Sequence, residues 1–86
     1  MSDDLDVRRK RALFRAQHRG TKEMDWLIGR YAAAKLGGMD GAALDHFDLL
    51  LAISDVDLHA WIIKPDVVVD REFETVIADV RAFHAL

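Results

Sequence analysis

Six ionisable side chains crowd into the eleven-residue stretch RAQHRGTKEMD: Arg15, His18, Arg19, Lys22, Glu23 and Asp25. Both signs of charge are present, and Phe14 and Trp26 flank the stretch. Arginine and aromatic side chains together are the usual anchors of protein interfaces, so the stretch reads as a contact surface. Each residue also has a plainer use. Gly20 can end a helix by reaching positive φ without a Cβ clash. Glu23 can serve the first turn of the next helix, and Arg19 can bind carbonyls at the end of the preceding one. Arg19 and Glu23, four residues apart, are also close enough in sequence to pair with each other.

Other constellations carry less. Asp55 and Asp57 stand two residues apart at a helix start, where acids cap and complement the helix dipole more often than they do acid–base work. The run Arg8-Arg9-Lys10-Arg11 offers phosphate contacts. On a helix its members fan around the axis, and a solvated basic helix accounts for them equally well. His18, His46, His59 and His84 are separated by 28, 13 and 25 residues, with no H-x-x-x-H pair, so no metal site is expected. No G-x-S-x-G elbow, P-loop or G-x-G-x-x-G turn is present. The chain has no cysteine, which removes disulfides, thiolate metal sites and a cysteine nucleophile together.

The elements that position these residues are helical. Apolar residues recur with the helical period, and there are only one Pro and five Gly. A first helix is expected over about Asp4–His18, with Ser2, Asp3 and Asp4 as candidate caps. Leu5, Ala12, Leu13 and Ala16 share its inner face. Val7, Arg11, Phe14 and His18 share the opposite one, flanked by Arg8 and Arg15, and core burial alone does not explain that second face. A second helix follows Gly20, about Thr21–Leu36, with Met24, Leu27, Ile28, Tyr31 and Ala34 inward and Trp26 off the stripe. Asp40 caps a third over about Gly41–Ile53. Ser54 caps a short fourth that buries Leu58, Trp61 and Ile62. Lys64-Pro65-Asp66 makes a turn. The last helix is expected over about Val69–His84, with Val69, Phe73, Val76, Ile77, Val80 and Phe83 on one stripe. Val67-Val68-Val69 has strand propensity but nothing to pair with, and reads as a connector. The expected fold is all-α, a compact bundle of about five short helices forming a single domain over residues 1–86.

Size and charge bound the function further. A chain of 86 residues buries only about 60–65% of the surface its unfolded form exposes. Residues 1–35 carry nine Lys/Arg against five Asp/Glu, and residues 36–86 carry three against ten. The net charge of −3 argues against a dedicated nucleic-acid binder. No apolar run approaches the length of a membrane span, and the N-terminal residues lack a secretory h-region. A cytoplasmic, bacterial protein is expected.

At the charged corner the sequence resembles the small assembly factors that promote covalent attachment of FAD to the flavoprotein subunit of succinate dehydrogenase. That family's R-G-x-x-E motif appears as Arg19-Gly20-Thr21-Lys22-Glu23. Arg11-Ala12-Leu13-Phe14-Arg15 precedes it as in the family's R-x-L-aromatic-R. Met24-Asp25 and Gly29-Arg30-Tyr31 follow, then Phe47-Asp48-Leu49-Leu50-Leu51 and Asp55-Val56-Asp57-Leu58-His59-Ala60-Trp61. The resemblance covers about residues 8–65. Val56 stands where many relatives have Pro, and Trp26 replaces an aliphatic residue.

The resemblance implies a five-helix bundle that docks on a flavoprotein client, of the succinate dehydrogenase or fumarate reductase type. It implies a chaperone and not an enzyme: a histidine of the client attacks the flavin, FAD belongs to the client, and the factor holds no cofactor stably. Arg11, Arg15, His18, Arg19, Gly20, Lys22, Glu23 and Asp25 are the expected partner-binding residues, with Arg19 and Glu23 making charge-assisted contacts. No nucleic acid and no membrane partner are expected, and the free state is expected to be a monomer. The alternative is an antitoxin-like or regulatory module binding a protein through the same surface.

Overall fold

The computed structural model describes residues 2–64 and 66–86, with side chains from Asp4 onward. The side chains of the candidate caps Ser2 and Asp3, and Pro65 of the expected turn, lie outside what is described. Five α-helices follow in order: α1 (Ser2–Gln17), α2 (Lys22–Lys35), α3 (Gly41–Leu51), α4 (Asp55–Ile63) and α5 (Glu74–Phe83). Short 3₁₀ turns, Leu36–Gly38 and Arg71–Phe73, follow α2 and precede α5. There is no strand among the described residues, so the expected all-α bundle is the fold. Among the described residues no helix is long and apolar enough to cross a membrane.

Local chemistry sets the helix starts. Thr21 Oγ1 accepts from Met24 N at 3.2 Å to cap α2. Asp40 Oδ1 accepts from Ala43 N at 2.8 Å to cap α3, and Ser54 Oγ accepts from Asp57 N at 3.3 Å to cap α4. Each side chain satisfies one of the donors that a helix start leaves unpaired. The expected caps Asp40 and Ser54 therefore hold.

The last helix begins later than its apolar stripe suggests. Val67 to Val69 are connector, and the chain turns through the 3₁₀ segment before α5 starts at Glu74. Three consecutive β-branched residues restrict χ1 and disfavour a helix start, while Phe73 N bonds Asp70 O at 2.8 Å to make the turn instead. Phe73, Ile77 and Val80 are buried as expected, whereas Phe83 is partly exposed at the end of the stripe. Ala34, expected inward on α2, is exposed.

The core draws on all five helices. Ala12 and Ala16 of α1 meet Met24, Leu27 and Ile28 of α2; Phe47 and Leu50 of α3, Leu58 and Trp61 of α4, and Ile77 of α5 complete it. Trp61 and Phe73, both buried, lie with ring centroids 6.0 Å apart. At Gly29, α2 approaches α1 closely. A Cβ there would sit 3.2 Å from Gln17 Cα and 3.3 Å from Ala16 O. That approach sets the end of α1 directly against α2 and so fixes the corner between them. Arg8 ties α1 to α3 through Asp45 at 2.6 Å and Asp48 at 3.1 Å, and Arg9 donates to Met39 O at 2.7 Å. Two members of the basic run are thus committed to acceptors within the chain.

Candidate functional site

The corner between α1 and α2 is built around one carboxylate. Asp55, in the first turn of α4, accepts from Arg19 Nε at 2.7 Å with Oδ1 and from Gly20 N at 2.8 Å with Oδ2. The Arg19 guanidinium also donates to Leu51 O and Ile53 O, the latter at 2.7 Å. These two oxygens lie at and just beyond the end of α3, whose last turn carries no basic residue. Arg19 therefore supplies the positive charge and the donors that the C-terminal end of α3 lacks. Its side chain is only 10% exposed.

Arg19 takes up neither of the plainer uses its position allows: it does not bind carbonyls at the end of α1 and does not pair with Glu23. Gly20 breaks the helix between the two residues, so the i, i+4 neighbourhood of a continuous helix is absent. Glu23 instead accepts from His59 Nε2 at 2.7 Å through Oε1.

Gly20 does not reach positive φ, and no glycine among the described residues does. Its requirement is space: a Cβ at Gly20 would lie 2.8 Å from Asp55 Oδ2. The glycine lets the backbone approach the carboxylate closely enough to donate to it. The corner is pinned further by Asp25, whose Oδ1 accepts from Arg19 N.

Burial pushes the Asp55 carboxyl pKa up. The Arg19 hydrogen bond, the Gly20 N–H and the charge of Arg19 outweigh burial and hold it below the ordinary carboxylate range. Asp55 is therefore an ionised structural anchor at neutral pH, without the raised pKa of a general acid.

The structure divides the expected partner-binding residues into two sets. Arg19, Gly20 and Asp25 face one another or the α3–α4 link. Arg11, Arg15, His18, Lys22 and Glu23 are exposed around them, Glu23 with its side chain 61% exposed. Phe14, 62% exposed, stacks on His18 with ring centroids 4.0 Å apart, and His18 Nδ1 donates to Phe14 O at 2.8 Å. Phe14, Arg15, His18, Arg19, Gly20 and Asp55 line a shallow groove.

Asp55 and His59 belong to the corner although sequence reading assigned Asp55 to capping and left His59 unassigned. A signal existed for Asp55: it follows a helix with no cation in its last turn and stands beside a helix start. For His59 there was none, since 36 residues separate it from Glu23. Among the described residues no group of three or more His, Asp or Glu is placed to hold a metal ion.

The fold and this corner define a small all-α protein whose most elaborate surface is a rigid, mixed-charge helix–helix turn with flanking aromatic groups. The model of the Sdh5 family, described as flavinator of succinate dehydrogenase, matches residues 10–84, and the chain belongs to that family. It is 40% identical over 60 residues to a protein of Acetobacter pasteurianus named FAD assembly factor SdhE, covering 70% of this chain and 55% of that one. It is 31% identical over 81 residues to the mitochondrial succinate dehydrogenase assembly factor 2 of Dictyostelium discoideum, covering 94% and 57%. The protein of the same name from Debaryomyces hansenii is 36% identical over 62 residues, covering 72% and 44%. The chain thus spans about half the length of these curated relatives.

Proposed function

We propose that this protein is a non-catalytic assembly chaperone that binds the flavoprotein subunit of succinate dehydrogenase, or of fumarate reductase, and promotes covalent attachment of FAD to it. The observation that carries the reading is the division of labour at the corner. Arg19, Gly20 and Asp25 are spent on rigidity, and that rigidity presents Glu23, Arg15 and His18 outward on a family-matched surface. Membership of the Sdh5 family and the names of its relatives supply the client.

Arg19 and Gly20 act as positioning residues, and Glu23 makes the charge-assisted contact. A rigid docking surface orders little on binding, so more of the contact energy reaches the complex. The chaperone promotes flavinylation by binding the competent conformation of the client better than the other, which shifts the client's population toward it. FAD stays with the client, and the bond forms on a client histidine. The factor works as a monomer in the cytoplasm, without nucleic acid or membrane partners. The commitment of Arg8 and Arg9 to intrachain acceptors supports leaving phosphate out of the reading. Nothing at the corner favours the antitoxin-like or regulatory module.

Co-purification with the apo-flavoprotein subunit, followed by in-gel fluorescence for covalent flavin after FAD addition, tests this reading. The expected result is a complex and a fluorescent subunit band that is much weaker without the protein. A band equally strong in both lanes contradicts the reading.

A further inference from the structure

The contact surface does not stop at the corner. On the far side of Asp55 a second groove opens, lined by Thr21, Glu23, Val56, His59, Ala60 and Lys64. Asp55 lines both grooves and forms the ridge between them. Val56, at the second position of α4, is 80% exposed, and Ala60 lies one turn further along the same groove. An exposed valine there contributes nothing to the core. It mirrors Phe14, the exposed apolar side chain of the first groove.

The charges nearest the ridge differ on its two sides, Arg15 on one and Glu23 on the other. On the α1 side stand Arg11 and Arg15, with Asp48 of α3 reaching only to 3.9 Å from Arg15. On the α4 side the groove carries Glu23, one oxygen held by His59, with Lys64 at its far end; Asp57 of α4 and Lys22 of α2 are exposed outside its lining. Asp55 itself is matched by Arg19. A surface of this kind orients what lies on it, because like charges brought together cost more than unlike ones gain.

We infer that one continuous segment of the flavoprotein subunit crosses the Asp55 ridge, acidic where it meets Arg11 and Arg15, basic where it meets Glu23, with apolar side chains over Phe14 and Val56. This rests on the proposed function and extends the docking surface onto α4. His59 is a positioning residue here: it holds one Glu23 oxygen and leaves the other for the basic group of the segment.

Titration of the apo-flavoprotein subunit with single variants tests the inference, alongside thermal melts. Val56→Lys and Val56→Asp both remove the apolar contact at a solvated site, so both keep the wild-type melt. Opposed charge then separates them: Val56→Lys weakens binding about tenfold and Val56→Asp less than about threefold. A photo-crosslinking side chain placed at Phe14 reaches an acidic peptide of the subunit, and one placed at Val56 reaches a basic peptide next to it in sequence. If Val56→Lys binds like wild type while Glu23→Ala is weakened, contact stops at Glu23 and does not reach α4: the proposed function stands and the extension is overturned. If both bind like wild type, both fail.

Discussion

Arg19 and Asp55, 36 residues apart, meet with Nε 2.7 Å from Oδ1, and the same carboxylate takes the N–H of Gly20 at 2.8 Å. One side chain thus binds the α1–α2 turn to the start of α4, while the guanidinium closes the end of α3. The pair is mostly buried, and each guanidinium nitrogen and each carboxylate oxygen has a partner, unlike an exposed ion pair worth about 0–1 kcal/mol.

Arg19→Ala is therefore expected to destabilise the fold by about 2–4 kcal/mol, because it leaves two carbonyls without their donor and a largely buried carboxylate with only the Gly20 N–H. For a domain of this size the melting temperature falls by on the order of 10–25 °C. Differential scanning calorimetry reads this directly. A loss of only a few degrees would place Arg19 outside the structural lock.

Gly20→Ala is expected to cost about 1–2 kcal/mol through the approach of its Cβ to Asp55 Oδ2 at 2.8 Å. The penalty belongs to the pair. With Asp55→Ala already present the obstruction is gone, and Gly20→Ala becomes neutral or slightly stabilising, since negative φ suits alanine and the unfolded chain loses freedom. A double-mutant cycle by chemical denaturation measures the coupling, expected at about 1 kcal/mol or more. Additive effects would show that the glycine is required for another reason.

Acid should loosen the corner. Unfolded, Asp55 titrates in the ordinary range near about 4. Folded, burial pushes its pKa up, but Arg19 and the Gly20 N–H bring it below that range. A depressed native pKa means that the stabilisation is present above the unfolded value and is lost as pH falls through the native one. The denaturation midpoint of the wild type is expected to fall more steeply between about pH 5 and 3 than that of Asp55→Asn, which starts lower at neutral pH. Parallel curves would remove Asp55 from the acid response.

Much of the fold was legible because its determinants are local. Asp40 and Ser54 stand where caps must, and the stripes of α2, α3 and α4 follow the helical period. Charge and Phe14 mark the α1–α2 corner in the sequence, and Phe14 is exposed there. The wiring of the corner was not legible. Arg19 finds acceptors in the α3–α4 link and Glu23 finds His59, both across dozens of residues, and local spacing carries no signal for either contact. Gly20 was read as a conformational break by left-handed backbone, when the structure uses its missing side chain to admit a carboxylate. The late start of α5 had the same origin: the stripe runs on through Val69, but three β-branched residues and the Asp70 turn decide where the helix begins.

The most direct measurement is a titration of the apo-flavoprotein subunit with wild-type protein and with Glu23→Ala. Glu23 is exposed, and its side-chain partner among the described residues is the partly exposed His59, so the variant should melt within a few degrees of wild type. Loss of a charge-assisted contact at an interface should nevertheless weaken binding by about 1.5–3 kcal/mol, roughly 10- to 150-fold. An intact fold with that loss of affinity is the predicted result. An intact fold with unchanged affinity would contradict the assignment of this corner to the client.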